Sequence, residues 1–246
     1  MVVFSIPFIV LFLTAFTATD YITFPPKGIS VKWFELIFQD VKLIQTIGIS
    51  LFVAAMASSI SIIVSILSSY ALVRYRFPFQ ETIQSLLLSP LSIPMIALAM
   101  GLLFFLANLN AINIFTLIFS HVVITYPYAV RTLALSLKTV NVELERAAVI
   151  LGAGPLTTFF RVLLPMMKPG MIAAFLFSFL GSFNNVSVSL FLSRPGITTL
   201  PVKIFYFLET NPDPRISAVS AFIMIFSFAM MIALDRLVGL FKIVLM

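Results

Sequence analysis

The sequence predicts an all-α fold, a polytopic transmembrane helix bundle of about six spans. Two observations carry this. The 246 residues are 61% hydrophobic and only 10% charged, whereas a soluble domain is about a quarter charged. A core of this size cannot bury so many apolar side chains, so the excess must face lipid. The apolar residues are also gathered into runs long enough to span, near 2–19, 46–73, 83–107, 112–137, 170–192 and 216–234. The chain reads as one transmembrane unit over 1–246, since a helix bundle in lipid is a single body.

The first run begins almost at Met1 without a cationic lead or a small-residue cleavage site. It is therefore kept as a helix, and the missing lead suggests a trimmed or misassigned start. Residues 20–42 mix Trp33, Phe34, Leu36, Ile37 and Phe38 with charges, which suits an interfacial helix. Pro90 and Pro94 should bend the third span, and Pro127 the fourth. Residues 193–215 hold Pro195, Gly196, Pro201, Pro212 and Pro214, predicting a looped segment with a short helix around 201–209.

Charge orients the bundle. One set of loops carries Arg74, Arg76, Arg131, Lys138, Arg146, Arg161, Lys168, Arg236 and Lys242 against Glu81, Glu143, Glu145 and Asp235. The other carries Lys27, Lys32, Lys42, Arg194, Lys203 and Arg215 against Asp20, Glu35, Asp40, Glu209 and Asp213. The more cationic set is predicted to be cytoplasmic, which puts both termini in the cytoplasm. The net charge of +6 is scattered between apolar runs and forms no basic face, so no nucleic-acid partner is expected. Arg74 and Arg76 read most simply as a topology anchor.

Composition also narrows the chemistry. There is no cysteine and one histidine, His121, which excludes a thiol nucleophile and makes a zinc site unexpected. No intramembrane pair of carboxylates is available for an enzyme working at membrane depth. Gly152-Ala-Gly154 lacks the lysine and strand of a phosphate loop, so any nucleotide must sit on another subunit.

The longest cytoplasmic stretch, within 138–168, has its own grammar. Asn141 is a suitable N-cap, and Glu143 and Glu145 lie near the first turn, where acids suit the helix dipole. Leu144, Ala147, Ala148 and Leu151 share a face. Gly152 and Gly154 end the helix, and Pro155 starts the next, which runs to Pro165. A short helix, a sharp turn and a second helix returning to the membrane make a protein-docking element. The small Ala147 and Ala148 leave room for a partner.

Here the chain resembles the permease subunits of type I ABC importers. Their signature is Glu-Ala-Ala, three residues, Gly, nine residues, a branched apolar residue, any residue, Leu-Pro. The matching residues are Ala147-Ala148, Gly152 and Val162-Leu163-Leu164-Pro165. Arg146 stands where the signature Glu is expected, with Glu145 just before it.

The resemblance extends along nearly the whole chain. Ala71-Leu72-Val73-Arg74-Tyr75-Arg76-Phe77, His121 with Tyr126-Pro127-Tyr128, the segment Ser182–Ser189 and Thr199-Leu200-Pro201 look like the second permease of spermidine/putrescine importers. Iron, phosphonate and opine or amino-acid importers use close relatives. The resemblance implies the type I permease fold. It implies a second and different permease, two ABC ATPases that bind ATP and Mg, and a periplasmic or lipid-tethered binding protein, all at the bacterial inner membrane. Glu143, Glu145, Arg146, Ala147, Ala148, Gly152, Leu164 and Pro165 would then couple the bundle to the ATPases.

For the substrate path the candidates are Asn184, Asn185, Ser182 and His121. Two adjacent amides in a span need water or a polar neighbour. A lone histidine, by contrast, more often stitches helices together, and serines pack them. The polyamine relatives usually carry acids where Asn184 and Asn185 stand, so the neutral pair suggests a less cationic solute, a zwitterion or organic anion. A small organic solute of the polyamine or amino-acid-derivative type is expected. Iron or phosphonate import is the alternative, and a secondary transporter is the reading from a different class. A secondary transporter would need ion ligands and no ATPase partner.

Overall fold

The computed structural model describes residues 2–210 and 213–238. Pro212 and Lys242, named above, lie outside the described residues. The elements in order are α1 (Val2–Thr14), α2 (Lys32–Gln39), α3 (Val41–Arg74), α4 (Gln80–Leu88), α5 (Met95–Asn108), α6 (Ile114–Thr139), α7 (Val142–Ile150), α8 (Pro155–Thr158), α9 (Leu164–Met166), α10 (Lys168–Phe183), α11 (Ser187–Leu192), α12 (Leu200–Thr210) and α13 (Arg215–Val238). No strand occurs among the described residues.

The centre of the bundle is α3 packed on α6, with α10 against both. At 34 residues, α3 is roughly 50 Å long and overreaches a hydrocarbon core of about 30 Å. Asp40 caps its start, Oδ1 accepting from the Leu43 N–H at 3.0 Å. Its inward face carries Ala54, Ala57, Ser58, Ser61, Ser65 and Ser69, all buried. Small residues let helix backbones approach where lipid supplies no hydrophobic drive between helices. Ser61 bonds Thr125 of α6 at 2.8 Å across this seam. Asn113 and Thr116 form a reciprocal capping box that fixes where α6 begins, and α6 continues through Pro127.

The expected third span is broken rather than bent. After α4 a single 3₁₀ turn, Ser89–Leu91, leads to α5, and the two arms meet at 97°. Each proline removes a backbone donor and denies helical geometry to the residue before it. Pro90 and Pro94 strike neighbouring turns, so no continuous ladder survives. The run at 170–192 is also divided, between α10 and α11, at Asn184–Val186. The first run is helical only to Thr14. That makes about 20 Å of helix, short of the hydrocarbon thickness.

By length and composition, three helices among the described residues can cross a membrane alone, α3, α6 and α13. The count rises to five if each of two bent pairs is one span. Ser5–Thr14 is a shorter apolar helix beside them.

Both expected helices on the opposite face are present. In α2, Trp33 and Ile37 turn inward, and the Trp33 indole N–H donates to the Thr17 carbonyl at 2.8 Å. The start of α12 is pinned to α3 by the Leu200 N–H donating to Ser50 Oγ at 2.7 Å. One apolar cluster joins α1, α2 and α13 to Phe179, Phe183 and Leu200; another gathers Leu133, Leu137, Leu163 and Met167 at the other end of the bundle.

Candidate functional site

Residues 141–166 fold into a hairpin of two helical arms. Asn141 Oδ1 accepts from the Glu143 N–H at 3.0 Å and starts α7. Gly152 ends it with φ +87°, a left-handed conformation that disfavours any side chain with a Cβ. Around it the Gly152 N–H donates to the Val149 carbonyl and the Ala153 N–H to the Ala148 carbonyl. This is the paired closure that satisfies a helix's last acceptors. Pro155 then occupies the first turn of α8, where its missing donor is not needed.

The second arm departs from a plain helix. Phe159–Leu163 is a π-helical turn, with the Leu164 N–H donating to the Phe159 carbonyl. The Pro165 ring would crowd the carbonyl four residues earlier, and the widened turn just before it relieves that conflict. Thr158 and Leu163 are the buried side chains of this arm, while Leu164 is half-buried and Pro165 exposed.

No residue of the first arm is fully buried. Leu144 and Val149 are exposed, and Ile150 and Leu151 at the tip are 85% and 87% exposed. Ala147 is exposed and Ala148 half-buried. Glu143 and Arg146 pair with each other on the outer side at 2.6 Å. An exposed pair of this kind contributes little to stability.

Glu145 does something different. It turns inward, its Oε1 2.8 Å from Arg74 Nε at the end of α3, and both side chains are largely buried. Arg74 Nη2 also donates to the carbonyls of Leu137 and Val140, at 3.2 and 3.0 Å, where α6 ends. Sequence reading gave Arg74 no role beyond topology. A pairing across 71 residues leaves no local spacing signal. The available hint was the acid one position before the signature site.

The path candidates do not assemble into one site. His121 and Ser182 come together but are buried: Nδ1 lies 2.7 Å from Ser182 Oγ and Nε2 3.0 Å from Ser189 Oγ. The ring thus bridges α10 and α11 across the break between them. Asn184 is exposed and borders a groove of about 360 Å³ with Phe8, Leu180, Ser220, Ser227 and Met231, and among the described residues no charged side chain lines it. Asn185 is half-buried, and its Oδ1 accepts from the Val188 N–H at 2.9 Å, capping α11. The two adjacent amides were expected within one span; α10 instead stops at Phe183. A separate cleft of about 810 Å³ lies between α3 and α12, bordered by Lys42, Gln45, Thr198, Lys203 and Tyr206.

A helical bundle of this pattern is the architecture of an importer's membrane subunit. The sequence profile of the binding-protein-dependent transport system inner membrane component family matches residues 61–242, and the chain belongs to that family. It is the permease component of an ABC importer.

Among its relatives, the spermidine/putrescine permease of Haemophilus influenzae is 30% identical over 92% of this chain and 88% of its own length. That of Escherichia coli K12 is 29% identical over 93% and 86%. The fold is shared with a bacterial ABC transporter that imports the acidic polysaccharide alginate (TM-score 0.71, 14% identity, 97% of this chain and 91% of that one). A methionine ABC transporter in inward-facing conformations also shares it (TM-score 0.64, 17% identity, 86% and 98%). Permeases of this type work with a second permease, ATPases and a substrate-binding protein.

Proposed function

We propose that this chain is one of two different permeases in a heterodimer, and that the loop 138–168 is the seat of a cytoplasmic ATPase. In this reading two ATPase subunits, one under each permease, bind ATP and Mg, and this chain binds neither. A periplasmic or lipid-tethered binding protein delivers substrate to the opposite face, and both termini are cytoplasmic. ATP-driven closure of the ATPase pair carries the hairpins with it, and the bundle alternates its access.

The observation that carries the reading is the hairpin tip. Ile150, Leu151 and Leu156 are 85%, 87% and 75% exposed. A rigid apolar tip closed by Gly152 is what a partner's pocket can grip. Leu151→Asp should lower co-purification of the ATPase at least about tenfold, the scale of losing a central interface anchor, while the permease still inserts. Unchanged recovery of the ATPase with this variant would refute the docking assignment.

Asn184 is the residue of this chain assigned to the solute path, because its groove is neutral and open. The sequence relatives transport spermidine and putrescine by name, and a small organic solute of the polyamine or amino-acid-derivative type is the class proposed. A path wall without carboxylates favours a less cationic member of it.

A further inference from the structure

We propose that Arg74 and Glu145 form a positioning joint that holds the docking hairpin rigid against α3 and α6, so that force at the hairpin tip reaches the membrane helices undiminished. The inference rests on the docking reading above and adds the residues that transmit it.

The first arm carries no fully buried apolar residue, so apolar packing does not fix α7 on the bundle. A lever that transmits motion must nevertheless be fixed at its base. The Arg74 guanidinium supplies the fixing by meeting three acceptors at once: Glu145 Oε1 and the carbonyls of Leu137 and Val140. Leu137 and Val140 lie at the C-terminal end of α6, and Arg74 is itself the last residue of α3. Two helix C-termini, each carrying partial negative charge, therefore meet at one cation, and the last carbonyls of α6 accept from it. The planar fork of arginine presents its donors in fixed directions spread over three nitrogens, whereas an ammonium gathers its donors on one compact point of charge.

A second contact braces the other arm. Tyr70, one turn before Arg74, packs edge-on against Phe159 in the π-helical turn, with ring centroids 5.3 Å apart. The base of the hairpin is thus held at two points by the same end of α3, one for each arm. Arg146 takes no part in this; it pairs outward with Glu143. Arginine in place of the signature acid leaves the joint intact, because the acid that faces the bundle is Glu145.

The test uses the absence of cysteine from the chain. Spin labels are placed on cysteines at Leu67 of α3 and Val149 of α7, both exposed. Their separation is measured by pulsed electron resonance in the complex purified with its ATPase, before and after trapping with MgATP and vanadate. The wild-type joint should give one narrow distance that survives trapping. Glu145→Gln and Arg74→Gln should each lose the narrow distance in the complex that is recovered with its ATPase. The double variant should be no broader than either single one, since both remove the same interaction.

Arg74→Lys should broaden the distance to an intermediate degree, because charge is kept and the fork is lost. It also serves as the decisive variant if a Gln variant fails to fold. A distance as narrow in Arg74→Lys and the Gln variants as in wild type would overturn the joint and leave the docking reading standing. Loss of the ATPase from Glu145→Gln with the distance intact would overturn it differently, making Glu145 a docking contact. Leu151→Asp, which removes the ATPase, should leave the narrow distance unchanged, so that the two readings fail separately.

Discussion

Asn184 and Asn185 show how far one residue of offset can separate two roles. Asn185 spends its side-chain oxygen on the Val188 N–H, whereas Asn184 ends α10 and faces an open neutral groove. Asn185→Ala should therefore lower the stability of the complex by roughly 1 kcal/mol, the usual cost of losing a cap, and Asn185→Asp should restore it. Asn184→Ala should leave yield and melting temperature unchanged and alter uptake. Measuring both quantities for each variant separates the roles; a yield defect in Asn184→Ala would mean that it is a packing residue. Retained uptake of spermidine and putrescine in the wild type would defeat the argument that neutral amides select a less cationic solute. The sequence made this pair visible as costly in lipid but placed it inside a helix. No proline or glycine marks the break. The signal was asparagine itself, whose side chain competes with the helix for backbone donors. His121 was legible as a stitch between helices, though its two serine partners were not, because they lie 61 and 68 residues away.

At the level of elements, the hairpin was readable because its boundaries are written in local chemistry. Asn141, Gly152 and Pro155 each do what their covalent structure favours. The elbow between α4 and α5 was underread, since one proline bends a helix where two in adjacent turns sever it. Helix contacts were the least legible, and one of them gives a sharp expectation. A Cβ on Gly170 of α10 would lie 2.1 Å from Ser136 Oγ and 2.3 Å from Ser136 Cβ on α6. These two helices meet at a point where neither can add an atom without shifting. Gly170→Ala should destabilise the purified complex by about 1–3 kcal/mol, the range for overpacking a tight interior. Adding Ser136→Gly should recover most of it, because the obstructing side chain is gone. Equal melting temperatures for Gly170→Ala and wild type would show that α6 and α10 yield at no cost.

For the molecule as a whole, composition settled the membrane and the loop signature settled the class, while the number of spans came out lower among single helices than the apolar runs implied. Hydropathy windows do not register breaks: a run can be apolar throughout and still turn through 97°. Orientation rests on the charge imbalance between the two faces and on the hairpin. The absence of native cysteine makes it directly measurable. A cysteine at Thr198, beside the Lys42–Lys203 cleft, should react with an impermeant maleimide added to intact spheroplasts. A cysteine at Thr157, exposed on the hairpin, should react only after lysis. The reverse pattern would invert the orientation of the bundle and remove the ATPase-docking reading with it.

The elbow at residues 91–94 is exposed along its length in the single chain. A peptide group deprived of its helical partner costs several kcal/mol in hydrocarbon, so acyl chains cannot be its neighbours at membrane depth. Either water wets this flank or another polypeptide seals it. The same holds for the break at Asn184–Val186. The two interruptions therefore mark places where, at membrane depth, acyl chains are unfavourable neighbours.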